Sequence, residues 1–386
     1  MALALHRAPA EAWRVAVRRL ALTDFRGYAS LRLEVDPRPV VLTGPNGAGK
    51  TNLLEAISLL APGRGLRRAR LGQIDRIGAG PWSVVARLGL VRGDAEIRTA
   101  HVREGEGGRR SVQIDGGDAA SQAALAETLS VVWLTPAMDR LFQNGATERR
   151  RFLDRLVLSG DPAHATRLSR YAHVLRQRAR LLRAGRFDPS WLGGLERQAA
   201  AAGVAIAAAR RHSVRGLSAA RIDPPVGFPT LDLALAGQVE DWLAERPALE
   251  VEERFAAALA QSRREDAESG SAALGPHRSD LVVAEHASGR LAGDCSTGQQ
   301  KALLVSLVLA EARLRAAEGE RQPVLLLDEV AAHLDAARRA ALFEALDTLG
   351  AQAWLTGSDA ATFAPLGARA QFFLVQNATL QRYDPT

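Results

Sequence analysis

The stretch Gly44-Pro45-Asn46-Gly47-Ala48-Gly49-Lys50-Thr51 constrains this chain more than any other. The apolar run Val40-Val41-Leu42 precedes it and reads as a buried strand, and Asn52 to Leu60 follows with helical spacing. Glycines let backbone N–H groups turn inward around an anion, and the positive end of the following helix points at the same place. Strand, glycine loop and helix are the context in which G-x-x-x-x-G-K-[ST] means a phosphate loop. Gly44, Pro45, Asn46, Gly47, Ala48, Gly49 and Asn52 then line a candidate nucleotide site. Lys50 brings a mobile point charge to the outer phosphates, and the Thr51 hydroxyl is placed to ligate Mg²⁺.

Composition sharpens this. Of 50 basic residues only Lys50 and Lys301 are lysines, and the rest are arginine. A chain so biased to arginine keeps lysine at the position that suits a compact ammonium better than a broad guanidinium fork. The net charge of +7 points to an anionic partner such as nucleic acid, although arginine richness alone raises the isoelectric point. Aromatic content of 5% argues against base stacking as the main binding mode. Cys295 is the single cysteine, which excludes an internal disulfide and fits a reducing cytoplasm. Residues 1–20 are broken by Arg7, Glu11, Arg14, Arg18 and Arg19, so no signal peptide is expected, and no uncharged apolar run is long enough for a membrane span.

Along the chain, Val15 to Leu22 and Ser30 to Val35 alternate as two strands of a hairpin. Arg26 on its turn either reaches the nucleotide or merely solvates the turn. Gly63 to Arg70 is a compact basic loop whose Arg64, Arg67, Arg68 and Arg70 either meet phosphate or face water. Strands are expected at Trp82–Leu90, Ala95–Val102, Ser111–Asp115 and Val131–Leu134, with a glycine-rich turn at Gly105–Arg110. From Asp139 to about Glu268 the pattern is mostly helical, an antiparallel arm broken at Asp223-Pro224-Pro225. Pro162 to Phe187 holds seven arginines and no acid, and Arg176, Arg180 and Arg183 share one helical face, for phosphate or for solvent. Thr230 to Leu235 alternates like a strand with no evident partner.

The apolar strand Val324–Leu327 ends in Asp328-Glu329. Beside a phosphate loop, Asp328 suits a water-mediated hold on Mg²⁺ next to Thr51, and Glu329 suits polarising the water that attacks the γ-phosphate. Residues 331–335 are read as opening the next helix, and Ala353–Gly357 as a further core strand. Ser296-Thr297-Gly298-Gln299-Gln300 opens another helix and makes a second anion-binding surface, unless it is only a capped core helix. One nucleotide rarely needs two cradles, so the economical arrangement is a dimer in which this loop closes over the other subunit's ATP.

Taken together these motifs resemble ABC-type ATPases of the SMC kind, and most closely the RecF family of bacterial recombinational repair. The resemblance covers nearly the whole chain. It rests on Asp24-Phe25-Arg26-Gly27-Tyr28, the phosphate loop through Asn52, Pro62 to Arg67, Thr135-Pro136, Gly145 to Asp154, Gly275 to Leu281, Ser296 to Lys301 and Leu326 to Asp335. It implies an α/β fold: an ABC-type P-loop ATPase head of two lobes, with a mixed sheet plus an antiparallel sheet, and an inserted α-helical lid or arm. The segments would be 1–135, 136–270 and 271–386. It further implies Glu329 and Lys50 as catalytic residues, a signature of Ser296, Thr297, Gly298 and Gln299 acting in trans, and Asp335 in a D-loop. Such proteins bind single- and double-stranded DNA and form ATP-dependent homodimers. They hydrolyse ATP slowly and help RecO and RecR place RecA on gapped DNA in repair, replication restart and the SOS response.

Two departures from the wider ABC pattern stand out. Thr135-Pro136 replaces a glutamine loop, and Thr356-Gly357 stands where transport ATPases carry a histidine. A transport subunit is disfavoured by that missing histidine and by the long insertion between Lys50 and Ser296. A scaffold that binds ATP without turning it over is disfavoured by the intact Lys50, Asp328 and Glu329.

Overall fold

The computed structural model describes residues 15–90, 93–104, 108–185, 188–219, 225–317 and 322–384. Residues 1–14, 91–92, 105–107, 186–187, 220–224, 318–321 and 385–386 lie outside these, and with them Arg7, Glu11, Arg14, half of the Gly105–Arg110 turn, Arg186 and Asp223-Pro224. Two compact units divide the chain. One comprises 1–138, 224–228 and 305–386; the other comprises 139–223 and 229–304. Residues 271–304 therefore group with the helical unit.

The first unit contains two sheets. Its antiparallel sheet has the order β2-β1-β4-β5-β6-β7, from β1 (Ala16–Phe25), β2 (Tyr28–Glu34), β4 (Ser83–Leu90), β5 (Gly93–Val102), β6 (Arg109–Ile114) and β7 (Gly117–Asp118). The expected hairpin is present, with Phe25 opposite Tyr28 and the Arg26-Gly27 turn between them. The mixed sheet has the order β14-β13-β3-β12-β11-β8, from β3 (Val40–Thr43), β8 (Val131–Leu134), β11 (Val324–Leu327), β12 (Ala353–Gly357), β13 (Gln371–Gln376) and β14 (Thr379–Tyr383). All its pairings are parallel except β13 with β14. The strands β3, β8, β11 and β12 are buried along their whole length, as parallel strands covered on both faces should be.

Helix α1 (Lys50–Ser58) follows β3 and buries Leu53, Leu54 and Ile57 completely. Burial of each such side chain stabilises by about 1.5–3 kcal/mol. Gln352, fully buried, ties the two sheets together: its amide group donates to the carbonyls of Val17 and Asp36 and its oxygen accepts from the Val17 N–H. Two further helices of this unit are α2 (Leu125–Thr128) and α10 (Ala336–Leu349).

Helix α10 starts later than the sequence reading placed it. Val330–His333 forms a 3₁₀ turn, and Asp335 is the N-cap, its carboxylate accepting the Arg338 N–H at 2.8 Å. A capping aspartate has extended backbone and stands just before a helix, which is why residues 331–335 do not open it.

The second unit contains α3 (Ala146–Gly160), α4 (Ala163–Arg183), α5 (Pro189–Ala219), α6 (Gln238–Glu245), α7 (Ala248–Gln261) and α8 (Arg263–Ser269). Its core gathers Tyr171, Val204, Phe255 and Leu259. The strand at Leu231–Ala236, β9, finds its antiparallel partner in β10 (Asp280–Glu285), beyond the intervening helices. Helix α9 (Thr297–Ala317) begins in this unit. Among the described residues no helix is long and apolar enough to cross a membrane.

Two motif blocks of this unit, far apart in sequence, are joined. Arg149 grips Asp280 with two bonds, and Arg150 donates to the Ser279 carbonyl at 2.6 Å. Asp154 accepts two bonds from buried Arg210, which also donates to the Pro276 carbonyl, and it meets His164 at 2.8 Å. Burial pushes the Asp154 carboxyl up, but the charge of Arg210 and the bonds from His164 and Arg210 outweigh it and hold its pKa below 3.8. A depressed native pKa gives stability that is complete above the unfolded value. That stability is lost as pH falls through the native one. Asp154→Asn should therefore lower stability at neutral pH and flatten the acid limb of a pH–stability curve, measured by denaturant unfolding. An unchanged acid limb would contradict this.

Candidate functional site

The phosphate loop leaves β3 and enters α1 through three glycines in positive-φ geometry. Gly44 has φ +137°, and a Cβ there would lie 2.2 Å from the Val375 carbonyl oxygen. Gly49 has φ +114°, and a Cβ there would meet the Tyr28 hydroxyl at 2.7 Å. No larger residue fits either place. The Tyr28 hydroxyl donates to the Gly49 carbonyl at 3.2 Å, so the hairpin braces the loop, and burial pushes the Tyr28 phenol well above its usual pKa. Pro45, Asn46 and Gly47 are exposed, whereas Ala48, Gly49 and Lys50 are buried.

The Lys50 ammonium donates to the carbonyls of Gly44 at 2.6 Å and Pro45 at 3.1 Å, and lies 3.8 Å from Glu329 Oε1. Its charge thus sits over the mouth of the loop. The Thr51 hydroxyl donates to Asp328 Oδ1 at 3.0 Å. Strand order explains how they meet: β3 and β11 both flank β12, so the loop after β3 and the acids after β11 emerge at the same sheet edge. A hydroxyl and a carboxylate form the hard oxygen pair that suits Mg²⁺, and the loop's shape suits a phosphate chain, so the residues present fit both. Asp328 also accepts the Thr356 hydroxyl at 2.7 Å, and that hydroxyl accepts the Glu329 N–H at 2.9 Å.

Arg26 is tied to the helix that the phosphate loop opens. Its guanidinium makes two bonds to Glu55 on α1, at 2.8 and 2.7 Å, and one to the Gln73 carbonyl. Glu55 is fully buried, so a bidentate cation is the partner it requires. Arg67 donates to Asn52 Oδ1 at 2.7 Å and lies 3.3 Å from Glu55 Oε2. Glu55 is thus a hub that sequence reasoning missed, because an acid on a helix looks like any solvated residue.

The basic loop is held firmly while Arg64, Arg67, Arg68 and Arg70 are all exposed. Ser58 Oγ accepts the Leu66 N–H, and Arg110 donates to the Gly63 carbonyl, to Thr99 and to the Leu59 carbonyl at the end of α1. Burial lowers the Arg110 pKa to about 10.

In the helical unit, Arg176, Arg180 and Arg183 lie exposed on α4. Arg178, two residues from Arg176, is instead 1% exposed and paired with Glu196 and Asp266. The start of α9 is a capping box: the Ser296 N–H donates to Gln299 Oε1 at 3.0 Å and Ser296 Oγ accepts the Gln299 N–H at 3.4 Å. Ser296, Thr297 and Gly298 are exposed, while Gln300 is buried and donates to the Cys295 carbonyl. The helix is capped, and its positive end is presented to solvent.

The sequence model of the RecF/RecN/SMC N-terminal domain matches residues 16–379. The DNA replication and repair protein RecF of Rhizobium johnstonii is 50% identical over 367 residues, covering 94% of this chain and 97% of its own. The chain belongs to the RecF family. The protein of the same name from Mesorhizobium japonicum is 52% identical over 369 residues, again covering 94% of this chain and 97% of its own. A solved structure of the recombination mediator protein RecF with ATP in the RecFOR pathway superposes with a TM-score of 0.83 at 21% identity, covering 98% of this chain and 99% of that one. The fold is that of an ABC/SMC-like P-loop ATPase head with mixed and antiparallel sheets and helical insertions, as the sequence implied.

Proposed function

We propose that this chain is an ATP-gated DNA-binding protein of recombinational repair and replication restart. The observation that carries the reading is the Thr51–Asp328 bond, which joins the phosphate loop to the acidic strand end in a member of the RecF family. ATP is the substrate. Gly44 to Asn52 cradle its phosphates, Lys50 neutralises them, and Glu329 orients and deprotonates the attacking water. Thr51 and Asp328 would hold Mg²⁺, which when bound offsets charge on the phosphate oxygens. Arg26 joins the nucleotide-binding residues, held beside α1 by its two bonds to Glu55. Asp335 contributes as a D-loop residue at the mouth of α10.

Ser296, Thr297, Gly298 and Gln299 close over the ATP of a second copy, so nucleotide makes the homodimer and slow, DNA-stimulated hydrolysis releases it. The exposed capping box of α9 supports this, since a helix terminus turned to solvent is ready to receive an anion. The functional division follows the three segments, 1–135, 136–270 and 271–386, as nucleotide lobe, helical arm and signature-bearing lobe. Arg64, Arg67, Arg68, Arg70, Arg176, Arg180 and Arg183 are the DNA contacts, reading backbone rather than sequence. RecR, RecO and, indirectly, RecA are the proposed partners, in the cytoplasm and in the SOS response.

Fluorescence anisotropy with a gapped duplex tests this. ATP should tighten binding by the wild-type chain, and raised salt should weaken it. Lys50→Met should lose the ATP-dependent gain and keep only salt-sensitive residual binding. Full ATP-dependent binding by that variant would overturn the assignment.

A further inference from the structure

We propose that Thr356 is a positioning residue for ATP hydrolysis: its hydroxyl locks the Asp328 carboxylate and the Glu329 backbone into one arrangement. The inference rests on the reading of Asp328 and Glu329 given above and adds a residue to it. Strands β11 and β12 are parallel, with Leu327 paired to Leu355. The next residues, Asp328 and Thr356, are therefore neighbours where the ladder ends. Thr356 is completely buried.

Its hydroxyl makes two bonds whose directions are forced. A carboxylate facing a hydroxyl accepts, so Thr356 Oγ1 donates to Asp328 Oδ1 at 2.7 Å. An amide N–H donates, so the same oxygen accepts from Glu329 at 2.9 Å. A hydroxyl supplies one proton and two acceptor lone pairs, and here the proton and one lone pair are used. Thr51 donates to the same Oδ1 at 3.0 Å, so two hydroxyls fix the carboxylate from two sides.

Glu329 needs this anchor. Its backbone lies at φ +52°, ψ +27°, the left-handed region that non-glycine residues avoid. A strained backbone persists only where its surroundings over-determine it. That turn swings the side chain back over the phosphate loop, with Oε1 3.8 Å from Lys50 Nζ. Thr356-Gly357 stands where transport ATPases carry a histidine, and here the Thr356 hydroxyl braces the acids from the buried side.

Valine keeps the branched shape that β12 buries and deletes the hydroxyl, whereas serine keeps the hydroxyl and deletes a methyl. Thr356→Val should lower kcat by about 10- to 100-fold, the scale of a small misplacement of reacting groups, with the KM for ATP nearly unchanged. It should also raise the Mg²⁺ concentration needed for half-maximal turnover. Thr356→Ser should recover most of kcat. In a Glu329→Gln background the valine change should cost kcat less than in the wild type, because part of its effect runs through Glu329, while the raised Mg²⁺ requirement, which runs through Asp328, should persist.

Wild-type kcat and Mg²⁺ dependence in Thr356→Val would overturn the inference, as would a serine variant impaired as badly as the valine one. If valine prevents folding, Thr356→Ala against Thr356→Ser makes the same comparison, and equal kcat in those two would overturn it. A wild-type chain indifferent to Glu329→Gln would instead defeat the underlying reading of the site.

Discussion

Glu329→Gln is expected to reduce ATP turnover by about 10²-fold or more and to leave the nucleotide bound. The side chain is partly exposed at the end of a buried strand and faces Lys50 across the loop mouth. Glutamine preserves its size and hydrogen-bonding reach but accepts no proton from water. It also removes a negative charge opposite the site of the γ-phosphate, so ATP binding should be retained or tightened. A single-turnover assay with labelled ATP separates the two effects: binding persists while product formation stalls. Unimpaired hydrolysis would mean that another group activates the water.

Arg178 should produce the largest stability effect. It is 1% exposed, and it donates to Glu196 at 3.1 Å, to Asp266 at 2.6 Å and to the Leu259 carbonyl at 2.5 Å. Glu196 keeps Arg263 as a second partner, but among the described residues the Asp266 carboxylate has only the Ser262 hydroxyl and the Ala273 N–H besides. Removing one member of a buried ionic cluster leaves charge without compensation and costs about 3–5 kcal/mol. Arg178→Ala should therefore lower the denaturant midpoint markedly. Arg176→Ala and Arg180→Ala, on the exposed part of the same helix, should change stability by about 0.5 kcal/mol at most. Equal midpoints for Arg178→Ala and Arg176→Ala would contradict the packing described.

These arginines show what a sequence of this kind discloses. The strand, glycine loop and helix around Lys50 were legible because their chemistry is local: eight adjacent residues carry the whole pattern. The hairpin before them and the acidic end of β11 were legible for the same reason. The capping box of Ser296 and Gln299 is also a local signal, one helical turn long.

What stayed hidden depends on partners far along the chain. Arg178 differs from Arg176 only because Glu196 and Asp266 come from other helices. The alternation at Thr230 to Leu235 announced a strand, but its partner β10 lies beyond α6, α7 and α8. The pairing of Arg26 with Glu55 was hidden because Glu55 gave no sign of being buried. Thr356 was visible only as a departure from a pattern, and strand order was needed to set its hydroxyl on Asp328.

The central claim, a nucleotide site completed by a second copy, is tested most directly by molar mass in solution. Light scattering on the Glu329→Gln chain should give monomer without nucleotide or with ADP and twice that mass with ATP, and the dimer should hold a gapped duplex. Adding Ser296→Arg should leave ATP binding intact and return the mass to monomer, because the arginine blocks the loop that closes over the partner's phosphates. A chain that stays monomeric with saturating ATP, or dimers that persist undiminished with Ser296→Arg, would contradict it.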